Sequence, residues 1–246
     1  MKGVILAGGN GTRLRPLTQV TNKHLLPIYD KPMVIYPIET LKALGVKDIL
    51  LVSGGEHIGK FTEFLGDGSH FGVNLTYRVQ EKAGGIAEAL GLAEDFVGDH
   101  SVTVILGDNI FDNEKLIDDV QQRNLFLPED GHACVYLKKV TDPKRFGVPV
   151  FCGEGHITKI EEKPDAPKSD FAVTGLYTYP SEVFEVIHTL KPSARGELEV
   201  TDLNNYFIEK QRMDFIELDG FWSDAGTFES LLKSSVWAAG RDVLDK

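Results

Sequence analysis

Lys2–Gly11 reads K-G-V-I-L-A-G-G-N-G, a short apolar run that stops at a cluster of glycines. A run of this length, bounded at once by Gly8, Gly9 and Gly11, is the pattern of a buried strand feeding a tight loop. Downstream, Val34, Ile38, Leu41 and Leu44 fall at helical spacing, Gly45 supplies a helix stop, and 48–52 resumes a strand. Ile58, Phe61 and Leu65 form the next helical stripe. After it come a G-D-G turn at 66–68, a strand over 75–79, a helix through Ile86, Leu90, Ala93 and Val97, and an apolar strand over 102–106. This β-α-β-α-β-α-β rhythm over about the first 110 residues predicts an α/β fold with a mostly parallel, Rossmann-like sheet and helices on both faces. In such a sheet the ligand site lies beyond the C-terminal ends of the strands.

The second half has a different texture. Strand-like segments over 133–138, 148–152, 157–161 and 171–179 are separated by turns containing Pro and Gly, with helical patterns around 182–190 and 203–210. No internal repeat, low-complexity tract or linker divides the chain. One continuous unit over 1–246 is expected, with an elaborated second half from about residue 111.

The 37 acidic and 26 basic residues give a net charge of −11 over 246 residues, which weighs against general binding to nucleic acid or to anionic lipid. Within the first 31 residues the balance is reversed. Lys2, Arg13, Arg15, Lys23 and Lys31 face only Asp30, so this stretch carries +4 and the remainder −15. A local basic segment on an acidic protein suits a small polyanion, and clustering of solvated surface charges accounts for it equally well. The N-terminus lacks the apolar core of a signal peptide and no later run has the length of a membrane span, so a cytoplasmic protein is expected. Cys134 and Cys152 show no metal-like spacing and read as reduced core thiols. The seven histidines form no metal pattern either.

The glycine loop places backbone N–H groups where they could close on phosphate oxygens. It is not a Walker loop, because no G-K-[ST] ends it, and Leu14 stands where a dinucleotide fingerprint needs its third glycine. Taken alone it reads equally as a turn with no ligand. Asp108 ends the strand in V-I-L-G-D-N, where a carboxylate can face a site or simply form a turn. Asp224 lies more than a hundred residues further on, in F-W-S-D-A-G-T, and sequence spacing does not join the two. Glu162 and Lys163 read alone as an ion pair on a solvated strand, and Gln80 as a polar strand end.

The motifs together narrow these readings. G-G-N-G-T-R-L-R-P-L-T at 8–18, N-K-H-L-L-P-I-Y-D-K-P at 22–32, V-Q-E-K-A-G-G-I-A at 79–87, G-D-N at 107–109, F-G-V at 146–148, E-E-K-P at 161–164, A-V-T-G-L-Y at 172–177 and W-S-D-A-G at 222–226 occur in one order. In that order the chain resembles the sugar-phosphate nucleotidylyltransferases, especially the glucose-1-phosphate thymidylyltransferases, from Gly3 to about Leu232. The resemblance implies the nucleotide-diphospho-sugar transferase fold, with a nucleotide half up to about 110 and a sugar-phosphate half after it. It implies transfer from dTTP to glucose-1-phosphate, giving dTDP-glucose and pyrophosphate, with Mg²⁺ as cofactor and a homotetramer as the assembly.

By the same resemblance Leu6, Gly8, Gly9, Gly11, Thr12, Arg13, Lys23, Gln80, Gly85 and Asp108 bind the nucleotide. Asn109, Gly147, Glu162, Lys163 and Val173 bind the sugar phosphate, and Asp108 and Asp224 hold the metal. Arg13, Lys23, Asp108 and Lys163 carry catalysis, while Arg15 and Lys31 read as ordinary surface charges. The family pattern has Tyr where this chain has Phe146, so a hydroxyl contact is missing there. Thymine and uracil share the edge that Gln80 would read, which keeps a UTP-dependent enzyme as the alternative. A catalytically silent nucleotide-sugar-binding subunit is a further one. Longer relatives continue with a helical segment associated with an effector site between subunits, so the resemblance leaves open whether feedback inhibition by a later pathway product applies here.

Overall fold

The computed structural model describes residues 1–122, 131–153 and 155–244. Seven strands form one sheet: β1 (Lys2–Leu6), β2 (Asp48–Gly54), β3 (Asn74–Gln80), β4 (Val102–Leu106), β5 (Ala133–Lys139), β6 (Phe171–Tyr179) and β7 (Met213–Glu217). Their spatial order is β7-β5-β6-β4-β1-β2-β3. The first four are mutually parallel, β7 runs parallel to β5, and β6 is antiparallel to both β4 and β5. The fold is therefore α/β with a mostly parallel sheet, as the N-terminal rhythm predicts.

The apolar run at the N-terminus is continuous because both faces of the sheet are covered. Val4 and Leu6 point into one core with Leu50 and Val52, where they meet Leu90, Phe184, Leu203 and Phe207 from helices Ile86–Gly91, Val183–Thr189 and Val200–Glu209. Ile5 and Ala7 point into the other core with Ile49 and Leu51, against Leu41, Phe61 and Leu116 from helices Ile35–Ala43, Gly55–Leu65 and Asn113–Gln122. Gly45 follows the first of these helices at φ 81, the left-handed stop expected of it.

Two local expectations change. The stripe from Ile86 to Val97 forms two helices, Ile86–Gly91 and Glu94–Val97, rather than one. A Cβ at Gly91 would lie 3.3 Å from the Ile187 side chain, so close packing on the neighbouring helix decides the residue at the break. Met213–Glu217 also enters the sheet at its edge, with Asp214 and Glu217 diluting its apolar signal. Among the described residues no helix is long and apolar enough to cross a membrane.

Three smaller features set up the site. The hairpin Gly147–Phe151/Ile157–Glu162 is fastened to helix Val200–Glu209 by Asn205, which accepts from Ile160 N–H at 2.8 Å and donates to Ile160 C=O at 2.9 Å. A two-residue antiparallel bridge pairs Trp222 with Phe111 and Ser223 with Ile110, which carries Asp224 to the segment that follows Asp108. In β6 the register with β5 jumps at a bulge between Val173 and Tyr177, so 174–176 have no register partner in β5, although Leu176 still pairs with Ile105 of β4.

Candidate active site

A cavity of about 440 Å³ opens where the chain leaves β1, β3 and β4, and residues from both halves of the sequence line it. Leu6, Gly8, Gly9, Arg13, Lys23, Gln80, Gly85 and Asp108 come from the nucleotide set. Asn109, Gly147, Glu162, Lys163 and Val173 come from the sugar set, and Asp224 joins them. Gly11 and Thr12 are not among the lining residues. Gly11 sits at φ 56 behind the loop, where its carbonyl accepts from the Thr18 hydroxyl at 2.7 Å, and a Cβ there would lie 2.8 Å from the Thr18 methyl. Its freedom to adopt the left-handed region shapes the turn. Arg15 and Lys31 also lie outside the lining, and Lys31 pairs with Glu39 at 2.9 Å.

The centre of the cavity is an ion pair: Lys23 Nζ donates to Asp108 Oδ2 at 2.7 Å. Burial pushes the Asp108 carboxyl up, but the Lys23 charge and hydrogen bonds from Lys23 and Asn109 outweigh it and hold the group down at about 2. His24, next in the chain and almost fully buried, is held down at about 3 by burial first and the Lys23 charge second. Its Nδ1 lies 2.7 Å from Asn22 Oδ1, which also caps the His24 N–H at 2.8 Å. The ordinary imidazole value is 6.5, so the unfolded chain takes up a proton that the folded chain refuses until about pH 3. This contribution to stability is complete above pH 6.5 and is lost as pH falls towards 3, with Asp108 adding a loss of the same sign between 3.8 and 2. Urea unfolding between pH 6.5 and 4.5 should therefore show stability falling by about 1 kcal/mol per pH unit from this one group. His24→Gln should flatten that slope, and an unchanged slope would show that another group carries it.

Asp224 accepts from Arg145 Nη2 at 3.2 Å. Burial raises its carboxyl above the ordinary value, Arg145 pulls against that, and the Asp108 charge adds to the rise. Two carboxylates that repel within one cavity are a donor set that a hard divalent cation would relieve. Mg²⁺ is commonly held by one or two protein carboxylates completed by phosphate and water. Among the described residues no group of three or more His, Cys, Asp or Glu is placed to hold a metal. The residues present thus fit a cation that shares its ligands with a phosphorylated substrate.

On the hairpin side of the cavity, Glu162 ends its strand opposite Gly147, accepts from the Thr201 hydroxyl at 2.7 Å and forms an ion pair with Lys163 Nζ at 3.1 Å. Lys163 itself is in the left-handed region at φ 43, with its N–H bonded to Phe146 C=O at 3.0 Å. That conformation is costly for a residue with a Cβ and is held by the surrounding contacts. Phe146 keeps its ring edge-on to Trp222, with centroids 5.3 Å apart. At the base end, Gln80 Nε2 donates to the Glu88 carboxylate, which fixes the orientation of the amide. Gly85 follows at φ 103, clasped by Leu198 N–H bonding to Gly84 C=O at 2.8 Å.

Asn109 does more than line the cavity. Its Oδ1 accepts from Gly175 N–H at 2.8 Å and from Trp222 Nε1 at 2.7 Å, while its Nδ2 donates to Asp108 Oδ1 at 3.0 Å. One side chain therefore joins the strand end at Asp108, the bulge in β6 and the segment that carries Asp224.

The family model described as nucleotidyl transferase matches residues 2–239. The chain belongs to the nucleotidyl transferase family. It is 46% identical over 233 residues to the glucose-1-phosphate thymidylyltransferase of Neisseria meningitidis, covering 94% of this chain and 80% of that one. The enzyme of the same name from Mycobacterium tuberculosis is 41% identical over 237 residues, covering 96% and 81%. Among solved structures, a Bacillus anthracis protein provisionally named glucose-1-phosphate thymidylyltransferase, crystallised with sucrose, superposes with a TM-score of 0.89 at 50% identity, covering 97% and 95%. UDP-glucose pyrophosphorylase in complex with UDP-glucose superposes with a TM-score of 0.86 at 22% identity, covering 98% of both chains, a likeness of fold.

In this nucleotidyl transferase the cavity also contains residues that motif reading misses: Arg145, Tyr177, Arg195, Glu197, Glu199 and Trp222. Arg195 grips Glu199 through two nitrogens, at 2.8 and 3.2 Å. Its stretch K-P-S-A-R-G-E-L-E at 191–199 mixes Pro, Gly and opposite charges, a composition that reads as a solvated loop. Arg145 follows D-P-K and reads as another surface charge. Trp222 and Tyr177 lie within motifs already singled out, Trp222 two residues before Asp224 and Tyr177 at the end of A-V-T-G-L-Y.

Proposed function

We propose that this chain transfers a thymidylyl group from dTTP to glucose-1-phosphate, giving dTDP-glucose and pyrophosphate. The observation that carries the proposal is one cavity with two basic poles, Arg13 and Lys23 on the glycine-loop side and Lys163 on the hairpin side. A triphosphate and a sugar phosphate are both anions, and each pole suits one of them. The named relatives supply the identity of the substrates, and the sucrose bound to the Bacillus anthracis relative is consistent with a carbohydrate site.

In this reading Gly8 and Gly9 let the triphosphate approach the backbone, and Gln80 and Gly85 hold the base. Glu162 receives sugar hydroxyls and Lys163 the sugar phosphate. A phosphate oxygen of glucose-1-phosphate attacks the α-phosphorus in line, the new P–O bond forms, and the bond to pyrophosphate breaks. No enzyme nucleophile is needed, because positioning and charge stabilisation suffice for such a transfer. Lys23 is already held in the cavity wall by Asp108, so little ordering is required when a phosphate replaces part of that contact. Arg13, whose guanidinium would lie 3.0 Å from a Cβ at Gly226, backs onto the turn after Asp224. Both cations oppose the charge that builds on the phosphate oxygens. Mg²⁺, held by Asp108 and Asp224 together with substrate phosphates, would withdraw charge from the phosphates and orient the leaving pyrophosphate.

The seven-stranded sheet draws four strands from before residue 111 and three from after it, which supports one catalytic unit over the whole chain. A homotetramer working in the cytoplasm belongs to the same proposal. The base edge is shared by thymine and uracil, so the choice of dTTP rests on the relatives.

Pyrophosphate release should be measured for dTTP, UTP, CTP and GTP, each with glucose-, galactose-, mannose- and N-acetylglucosamine-1-phosphate. The highest kcat/KM is expected for dTTP with glucose-1-phosphate. Equal or faster turnover with UTP would overturn the nucleotide assignment, and tight dTTP binding without turnover on any sugar phosphate would overturn the enzyme.

A further inference from the structure

Each carboxylate offered to a divalent cation already holds a cation from the chain itself. Asp108 takes Lys23 at 2.7 Å and Asp224 takes Arg145 at 3.2 Å. The two basic partners are held differently. The Lys23 side chain is 16% exposed and belongs to a short turn capped by Asn22. Arg145 is 42% exposed and ends the single turn Pro143–Arg145, with the face of the Phe146 ring as its other neighbour, 5.4 Å from the guanidinium carbon. Lys23 is built into the wall, whereas Arg145 is free to leave into solvent.

We propose that Arg145 is a placeholder for the divalent cation at Asp224. It neutralises that carboxylate while the cavity holds no substrate and yields the position when a cation arrives with a triphosphate. The inference rests on the reading of Asp108 and Asp224 as cation ligands. Without a counter-charge, Asp224 would face Asp108 across a partly dehydrated cavity; Arg145, its ion-pair partner, is the main relief, and the Arg13 charge adds a smaller one. A cation arriving alone must displace Arg145 and gains only two carboxylates. A cation arriving on a triphosphate brings further oxygen ligands, and the phosphates offer the released guanidinium a new partner. The protein by itself should therefore hold the cation weakly. The exchange also reaches the sugar side, because Arg145 immediately precedes Phe146 and Gly147, and Gly147 pairs with Glu162.

The test is Mn²⁺ alone titrated into the full-length, nucleotide-free protein, with free Mn²⁺ followed by electron paramagnetic resonance. Arg145→Met should tighten Mn²⁺ binding by about fivefold, the upper end for losing a competing, half-exposed ion pair. Arg145→Lys, which keeps the charge, should stay near the parent value, and adding Asp224→Asn to Arg145→Met should cancel the gain. Unchanged or weaker binding in Arg145→Met, including no measurable binding in either protein, overturns the placeholder. A parallel titration with dTTP present separates the two claims. If Asp224→Asn leaves Mn²⁺ affinity unchanged there, the assignment of Asp224 as a ligand fails. If Asp224→Asn weakens it while Arg145→Met tightens nothing, the placeholder alone fails.

Discussion

Lys23→Met is expected to lower kcat by about a thousandfold, the scale seen when one preorganised charge-stabilising donor is removed from a transition state. The same substitution should also destabilise the fold, because Lys23 is the cation that keeps the buried Asp108 carboxylate ionised. Removing one partner of such a pair leaves an uncompensated charge and costs about 3 kcal/mol. These two losses have different remedies. In Lys23→Met/Asp108→Asn the orphaned charge is gone, so most of the stability should return while turnover stays low. Urea unfolding and steady-state pyrophosphate release on the two variants separate the effects. A single variant that keeps kcat within threefold of the parent would remove Lys23 from the chemistry and leave it a structural ion pair.

The value of that pair was only partly legible in the sequence. Strands β1, β2 and β4 show as mainly apolar runs because they are covered on both faces, whereas β3, at the edge of the sheet, alternates Leu75, Tyr77 and Val79 with Thr76, Arg78 and Gln80. Glycine stops such as Gly45 mark the ends. The glycine loop, Asp108 and the E-E-K-P hairpin fall where the strands end, so local pattern was enough to suggest a site. Asp224 was different: it reaches the cavity through two residue pairs, Trp222 with Phe111 and Ser223 with Ile110, a bridge too short to have a sequence signature. Arg145 and Arg195 were invisible for another reason. Both sit in charged turns, and a charged turn looks the same whether it faces bulk water or a cavity. The apolar stripe over 86–97 misled because helical periodicity does not register a break at Gly91.

Asn109 shows what motif order cannot supply. The resemblance assigns it to the sugar phosphate, yet its amide is already committed to Gly175, Trp222 and Asp108. Asn109→Ala leaves the Gly175 N–H and the Trp222 indole N–H without an acceptor in a site where Asn109 is 2% exposed. An unsatisfied buried donor costs about 1–3 kcal/mol, so a loss of about 3 kcal/mol is expected for the two. In a domain of this size that corresponds to a fall in Tm of roughly 6–12 °C. Turnover should fall as well, because Asp108 loses one of the hydrogen bonds that fix its carboxylate. Trp222→Phe, which deletes one donor and keeps the acceptor, should cost less than half as much.

Gly175→Ala tests the same hub from the opposite side. A Cβ at this position would lie 2.6 Å from Asn109 Cγ, closer than packed atoms approach, so the methyl group must expel the amide from its place. If Asn109 is what Gly175 makes room for, the damage has a single origin. Once Asn109→Ala has emptied the space, adding Gly175→Ala should cost little more. The double variant should therefore be more stable than the sum of the single losses predicts, by about 1 kcal/mol or more, as is usual for residues in direct contact. Additivity within about 0.5 kcal/mol would mean that the two positions act independently, and the joining role given to Asn109 would fall.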